Sequence, residues 1–320
     1  MLLRVLWLLL PMFLWAGLCG RSAAALRVVT TVAPITDLVQ QVGGPALQVY
    51  GLVPAGVNAH TFQPTPQAVQ YLAEADLVIL NGLYLEEPTE KLLRSSGKPG
   101  VPVLKLGERT ITKTEWVFDF SFPKAQGHPN PHLWLNVSYA MTYTALIREQ
   151  LSALDPPHTA LYHANAERYQ ARLHRLDQCI MQAIATIPPP HRTLLTYHDS
   201  WPYFARRYGL TVLGAIQPAN FFEPSPRELA RIVEQIRRQK VPAIFGSEVF
   251  PSKVLEKIAL ETGVRYITAL RDDAFPGNPG DPEHSYIGMM LDNVHTMVQA
   301  LGGTTEVFQP CTTTLLRETK

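Results

Sequence analysis

The sequence lacks a surplus of charge of either sign. Its 28 lysines and arginines balance 27 aspartates and glutamates, which leaves a formal net charge of +1. A protein that binds nucleic acid usually carries a basic face or stripe, so this balance argues against a nucleic-acid partner. With 46% hydrophobic residues, the chain has the composition of a soluble globular protein large enough for about two domains.

Several catalytic motifs are also absent. The sequence has no Gly-x-x-x-x-Gly-Lys loop for phosphates, no Gly-x-Gly-x-x-Gly turn for dinucleotides and no Gly-x-Ser-x-Gly nucleophile turn. It contains neither His-Glu-x-x-His nor Cys-x-x-Cys. His198, Asp199 and Ser200 are residue types of a hydrolase triad, but adjacent side chains point apart and cannot form a proton relay by themselves. We therefore expect that the protein is not an enzyme.

Long apolar runs are confined to the N-terminus. Arg4, the apolar stretch Val5–Leu18 and the small residues Ala23–Ala25 have the order of a cleaved signal peptide, which we predict over residues 1–25. The run is short and Pro11 interrupts it, which favours cleavage over the alternative of a transmembrane anchor. We therefore predict an exported protein that does not span the membrane.

Cysteine is scarce, with 3 in the chain. Cys19 lies in the leader and could carry a lipid anchor, but Leu18 stands where a bacterial lipoprotein signal has a small residue. Cys179 and Cys311 remain as an even pair in an oxidising compartment. We predict that they form a disulfide that ties the C-terminal tail to a helix. Two unpaired thiols are the alternative.

Strand and helix patterns alternate along both halves of the chain. In the first half, short apolar strands at Leu26–Val32, Leu47–Val53 and Leu77–Leu80 are separated by helical spacing. Continuous apolar strands of this kind are typical of a parallel sheet with helices on both faces. The same alternation returns after residue 189. We predict an α/β fold with two lobes, each a parallel sheet flanked by helices.

One long helix is predicted between the lobes. Asp155 can cap it, Pro156 and Pro157 suit its first turn, and no proline or glycine appears before Ile187. Apolar residues recur at steps of three and four, which gives a rigid helix of about 30 residues, ~45 Å long. The predicted boundaries are an N-terminal lobe over 26–154, the linking helix over 155–188, a C-terminal lobe over 189–303 and a tail over 304–320.

Two histidines in similar Pro-rich turns are the strongest candidates for a functional site. His60 lies in the segment Pro54–Pro66, and His132 lies in a second Pro-rich loop. Proline stiffens the backbone, so each imidazole can be aimed at little entropic cost. His198 and Asp273 could complete a metal site, since both follow predicted strands, as His60 does. Ligands of open parallel sheets bind outside the carboxyl ends of the strands.

Two facing lobes would bring these four side chains together. Neutral imidazoles and one carboxylate suit a first-row divalent ion. Four protein ligands leave no obligatory open position, so the site should hold an ion rather than catalyse a reaction. Asp272 is a rival for Asp273, and a solvated acidic turn is the simpler interpretation of both. His128, in the loop before His132, could capture metal transiently.

Five segments between Leu26 and Leu301 together carry a family resemblance. They are Val28–Val39, Pro54–Pro66, Ala75–Glu86, Pro131–Asn136 and Tyr286–Met290. In these segments the chain resembles the periplasmic solute-binding proteins of zinc and manganese ABC transporters. The resemblance implies two α/β lobes that move little about one long helix, with one metal ion buried between them. It also implies a ligand set: His60, His132, His198 and Asp273.

The resemblance implies a zinc or manganese cargo, and the ligand types favour Zn2+. Softer nitrogen ligands and the Irving–Williams order both disfavour manganese, and manganese-specific relatives often have glutamate in place of His198. Two features differ from many zinc binders: Asn58-Ala59-His60 replaces the usual Asp-Pro-His, and a long His-rich insertion is missing. Mn2+ or iron is the alternative, because Asp273 bound through both oxygens could create a higher-coordinate site.

The resemblance implies a monomeric receptor that delivers its metal to an ABC permease and its ATPase. A metal-binding adhesin or accessory protein on the same fold is an alternative, because adhesion needs only a surface patch. A zinc hydrolase would need an open coordination position and a nearby general base. Four protein ligands would fill the coordination sphere of the ion, which argues against a hydrolase. The segment that contains Glu248 resembles a recurrent family position, and we expect a structural hydrogen bond there.

Overall fold

The computed structural model of the protein describes residues 25–250 and 253–317. The predicted signal peptide, apart from Ala25, and Cys19 lie outside the described residues. Within the described chain, none of the helices combines the length and the apolar character needed to cross a membrane.

The first lobe contains one parallel sheet. Its strands are β1 (Leu26–Thr30), β2 (Leu47–Gly51), β3 (Leu77–Leu80) and β4 (Val103–Lys105). They lie in the order β2-β1-β3-β4, with Leu26 paired to Leu47 and Val28 paired to Leu77. Its helices are α1 (Ala33–Gly43), α2 (Pro66–Glu74), α3 (Glu87–Ser96), α4 (Leu106–Thr110) and α5 (Val137–Leu154). The four residues of β3 are fully buried, as expected for a strand covered on both faces.

The linking helix is shorter than the pattern predicts. It is α6 (Thr159–Ala185), which has 27 residues, and a separate 3-10 turn covers Pro156–His158. Asp155 does not cap it, contrary to the prediction. Its carboxylate instead lies 2.8 Å from His158 Nδ1 and accepts from the Tyr162 hydroxyl over 2.5 Å. The consecutive prolines hold the chain in a tight turn before the α-helical hydrogen bonds begin.

The second lobe repeats the architecture of the first. Its strands are β5 (Thr193–Thr196), β6 (Thr211–Ala215), β7 (Ala243–Ser247) and β8 (Arg265–Leu270), in the parallel order β6-β5-β7-β8. Its helices are α7 (Pro202–Tyr208), α8 (Pro226–Gln239), α9 (Lys253–Thr262), α10 (Tyr286–Ala300) and α11 (Gln309–Arg317). Ser225 caps α8 in a reciprocal box with Glu228. The predicted two-lobed α/β fold is confirmed.

The C-terminal tail is helical where the sequence pattern indicates no element. Most of the segment after residue 308 forms α11, which the Cys179–Cys311 disulfide ties to α6. Phe308 and Leu315 are buried in the main hydrophobic core. The predicted disulfide is therefore confirmed, and the tail is a packed element of the fold.

One hydrophobic core runs through both lobes and the linking helix. It includes Leu38 of α1, Leu173 and Leu176 of α6, Phe245 of β7 and Met290 of α10. Because the same core contacts both lobes, it resists rotation of one lobe against the other. The two lobes present the loops that carry the three histidines to a common junction.

Candidate metal centre

The three predicted histidines meet where the lobes face each other. His132 Nε2 lies 3.3 Å from His60 Nε2 and 3.1 Å from His198 Nε2. One ligand nitrogen from each ring lies within 4.8 Å of the others. Zinc–nitrogen bonds of about 2.0–2.1 Å place two tetrahedral ligand atoms about 3.3 Å apart. The spacing of these nitrogens therefore suits a shared ion.

The same local turn places both histidines of the first lobe. His60 N–H donates to Asn58 Oδ1 over 2.9 Å, and His132 N–H donates to Asn130 Oδ1 over 3.1 Å. An asparagine side chain that accepts from the backbone two residues later forms an Asx-turn, which fixes the following loop. His198 is placed differently, because it lies two residues beyond the end of β5. The three imidazoles thus come from three separate loops: those of His60 and His198 follow strands, and that of His132 follows α4.

The amide of Asn130 determines which nitrogen of His132 carries the hydrogen. Asn130 Nδ2 donates to the backbone oxygen of Asp199 over 2.6 Å, so Asn130 Oδ1 is the end that faces His132 Nδ1 at 2.8 Å. An amide oxygen only accepts, so Nδ1 must donate and the neutral ring carries its lone pair on Nε2. His198 Nδ1 likewise lies 2.7 Å from Gln217 Oε1. The close Nε2 atoms of these rings therefore present lone pairs to each other.

Burial keeps the imidazoles in the neutral form that binds metal. Burial is the main cause that lowers the pKa of His60 and His132 well below the usual value, and neighbouring imidazoles lower it further. Burial also lowers the pKa of His198, although Gln217 and nearby carboxylates act in the opposite direction. Metal ligands must be deprotonated, so these rings are ready to bind without losing a proton.

The turn that carries Asp272 and Asp273 is held by Glu248 and Trp134. Glu248 Oε1 accepts from the backbone N–H groups of Asp272 over 2.8 Å, Asp273 over 3.0 Å and Ala274 over 3.2 Å. The structural hydrogen bond predicted for Glu248 is thus present. From the first lobe, Trp134 Nε1 donates to the backbone oxygen of Asp272 over 2.8 Å. The acidic turn is therefore fixed against the His132 loop.

The structure brings both acidic residues into the buried junction but does not add Asp273 to the histidine group. In the described chain, Asp273 Oδ1 is buried without a hydrogen-bond partner, and its carboxylate is outside the group formed by the three rings. Asp272 Oδ2 lies 3.6 Å from His198 Nε2. Both carboxylate oxygens of Asp272 are likewise buried without a hydrogen-bond partner among the described residues. The Asp273 ligand thus stays a prediction, with Asp272 as its rival.

The buried acids crowd one another. Burial, followed by the charge of Asp272, raises the pKa of Glu248 to about 8 and raises that of Asp273 well above its usual value. Burial raises the pKa of Asp272 to about 6. Ionising all three carboxyls at once is unfavourable in this setting, and a divalent cation would offset that repulsion.

His128 lies beside the centre rather than in it. It lines a cavity of about 130 Å³ together with His60, Tyr84, Phe122 and Phe221. Its ring stacks on Tyr84, with centroids 4.2 Å apart and planes 8° from parallel. The predicted transient capture by His128 is compatible with this position and stays a prediction.

Sequence reasoning missed the two amide side chains that orient the rings. A signal existed for Asn130, because Asn58 and Asn130 each precede a candidate histidine by two positions. The sequence contains no such signal for Gln217. This residue lies 19 positions from its partner His198 and meets it only through the pairing of β5 with β6.

Curated relatives and solved structures share this architecture. The chain is 29% identical over 282 residues to an iron-binding protein of Yersinia pestis, with 88% of each chain covered. It is 28% identical over 282 residues to a manganese-binding lipoprotein of Halalkalibacterium halodurans, with 88% of this chain and 90% of the relative covered.

Among solved structures, the periplasmic zinc-binding protein TroA of Treponema pallidum superposes with a TM-score of 0.78 at 29% identity, covering 86% of this chain and 98% of that one. A manganese-bound point mutant of the periplasmic metal-binding protein of Candidatus Liberibacter asiaticus superposes with a TM-score of 0.75 at 26% identity, covering 86% of this chain and 99% of that one. The profile of the family described as zinc-uptake complex component A, periplasmic, matches residues 28–300, most of the chain. The chain therefore belongs to this family of periplasmic metal-binding proteins.

Proposed function

We propose that the protein captures one divalent transition-metal ion between its lobes and delivers it to an ABC permease for import. The close approach of Nε2 atoms at 3.1 and 3.3 Å carries this proposal. Two buried lone pairs that face each other repel, and a shared cation converts that repulsion into coordination. The ion is cargo, so no bond is made or broken and no catalytic residue is needed.

The proposed ligands are His60, His132, His198 and Asp273. The unpartnered Oδ1 of Asp273 supports a carboxylate ligand, because a buried carboxylate oxygen without a partner is costly unless an ion meets it. Asp272 is the alternative, because both of its carboxylate oxygens are also buried without a partner in the described chain and Oδ2 lies 3.6 Å from His198 Nε2. A set that contains three imidazoles favours Zn2+, with Mn2+ or iron as the alternative. Relatives whose names state iron, manganese and zinc binding support this range.

The proposed location is the periplasm, reached through the signal peptide predicted over residues 1–25. The names of the relatives include both periplasmic proteins and lipoproteins. The partners would be the permease and its ATPase, and the receptor would act as a monomer. Family membership supports this part of the proposal, because several relatives are named as substrate-binding components of ABC transporters.

A competition between metals tests the function. Mature protein is stripped of metal and offered zinc with excess manganese, and the bound metal is then measured by mass spectrometry. We expect one zinc per chain that manganese does not displace, because three imidazoles select the softer ion. Stable manganese would mean that the carboxylate and the cavity geometry outweigh the imidazoles, and no bound metal would contradict the proposed function.

The fourth ligand is tested with a matched pair of acidic variants. Asp273→Asn should weaken zinc binding by at least ~10-fold. That is the loss expected when a residue that only supports a metal ligand is mutated, and losing a ligand itself should cost no less. Asp272→Asn should change affinity less, although this side chain is equally buried and adjacent. Both affinities can be measured against a competing chromophoric chelator. The opposite ranking would assign the ligand to Asp272.

A further inference from the structure

Gln217 is buried beside the metal centre, and its backbone is held from two sides. It lies just beyond β6 and is 1% exposed. Its N–H donates to the backbone oxygen of Tyr197 over 2.9 Å, and its backbone oxygen accepts from Ser121 Oγ over 2.7 Å. Ser121 precedes the linking helix and Tyr197 follows it. Gln217 is therefore fixed by both halves of the chain before its side chain makes any contact.

The two ends of the Gln217 amide contact different parts of the centre. Gln217 Nε2 lies 3.3 Å from the backbone oxygen of Phe221, which can only accept, so this end is the NH2 group. Gln217 Oε1 therefore faces His198 Nδ1 at 2.7 Å and requires a hydrogen there. A neutral imidazole protonated on Nδ1 keeps its lone pair on Nε2, the atom that faces His132.

The contact with Phe221 holds a loop that covers His60. Phe221 has a φ of +60°, in the left-handed region that residues other than glycine rarely adopt. Its N–H closes a turn onto the backbone oxygen of Pro218 over 2.9 Å. Its ring stacks on the His60 imidazole, with centroids 4.6 Å apart and planes 15° from parallel. A conformation of this kind persists only when its surroundings hold it, and Gln217 provides one of the holding bonds.

We propose that Gln217 is a positioning residue that couples the tautomer of His198 to the closure of Phe221 over His60. The Gln217 amide thus orients the His198 ring in the second lobe and also holds the Phe221 ring against His60 of the first lobe. The inference rests on the proposed function, because it concerns how the captured ion is retained. Phe221 stacks on His60 beside the cavity that both side chains line, so releasing Phe221 would loosen this ligand. Gln217 should therefore control the dissociation rate of the ion as well as its affinity.

Substitutions at position 217 test the two ends of the amide. Gln217→Leu removes both contacts, whereas Gln217→Glu keeps an oxygen opposite His198 Nδ1. In metal-free protein, 15N NMR of the imidazoles should place the His198 hydrogen on Nδ1 in the wild type and in Gln217→Glu. In Gln217→Leu a mixture of tautomers is expected. Transfer of zinc to excess chelator should be about 10-fold faster in Gln217→Leu, the scale of losing an outer-sphere partner.

Gln235→Leu is the matched control. Gln235 on α8 also donates through its side-chain amide to a backbone oxygen of β6, that of Leu213, over 2.8 Å. The Gln235→Leu variant should keep the wild-type tautomer of His198 and the wild-type dissociation rate of zinc. If Gln217→Leu does not fold, Phe221→Ala replaces it in the rate measurement, and we again expect about 10-fold faster transfer.

The outcomes separate this inference from the proposed function. If Gln217→Leu keeps the wild-type value of either the tautomer or the rate while the wild type binds zinc, this inference alone is wrong. A wild-type rate in Phe221→Ala would also overturn it. If the wild-type protein binds no metal, the proposed function fails and this inference fails with it.

Discussion

Replacing His132 with alanine is expected to weaken zinc binding by about 100-fold. Structural zinc sites bind with roughly 10–16 kcal/mol, so each of four ligands contributes about 3 kcal/mol, or about two decades of affinity. His132 is the most informative ligand to remove, because its Nε2 approaches both His60 and His198. It is also fully buried, so no exposed residue can readily replace it.

The measurement is a zinc titration of mature protein against a chromophoric chelator of known affinity. His174→Ala is a matched control, because His174 is an exposed histidine of α6 whose ring contacts Gln178. The control should bind zinc as the wild type does. Circular dichroism should show the same helix content in both variants, which separates loss of a ligand from loss of the fold. Wild-type affinity in His132→Ala would remove this residue from the proposed ligand set.

Removing the Cys179–Cys311 disulfide is expected to lower the free energy of unfolding by about 2–5 kcal/mol. The cysteines are 132 positions apart, so the bond closes a long loop and strongly restricts the unfolded chain. In the folded protein it holds α11 on α6, where Arg172 also donates to the backbone oxygen of Leu315 over 3.1 Å. Those remaining contacts should keep α11 docked at low denaturant concentration.

The measurement is urea unfolding of the metal-free Cys179→Ala/Cys311→Ala variant beside the oxidised wild type. Wild-type protein treated with a thiol reductant is the control for the alanine substitutions, and it should shift in the same direction. Zinc affinity should stay within about threefold of the wild type, because the proposed ligands lie outside α6 and α11. A stability change below about 1 kcal/mol would show that packing alone holds the C-terminal helix.

The hydrophobic pattern predicted the fold best where every residue of an element is buried. The strands around Leu77–Leu80 are continuous apolar runs, and their positions agree with the structure to within a few residues. Helix α5 was not predicted. Its buried residues are Val137, Ala140, Tyr143, Thr144, Ile147 and Leu151. They recur at helical spacing, but Ala140 and Thr144 weaken the apolar stripe that the pattern relies on.

Two errors in the predicted helices have local physical causes. The start of the linking helix was placed too early, because Pro156 and Pro157 suit both a first helical turn and the separate 3-10 turn that forms. The tail was assigned no element, because its threonine-rich sequence has low intrinsic helix propensity. Burial of Leu315 and the bond through Cys311 stabilise α11 where propensity does not.

The sequence by itself determined the two-lobed α/β architecture and the three histidines that meet. Alternating strands and helices restrict the topology, and loops beyond the carboxyl ends of strands place His60 and His198 at the facing edges of the two sheets. Only the tertiary structure decided how those rings are oriented and covered. Gln217 meets His198, and Phe221 meets His60, through packing between segments far apart in the chain. Periodicity specifies which face of an element is buried, but the partner on that face is chosen by how the elements pack.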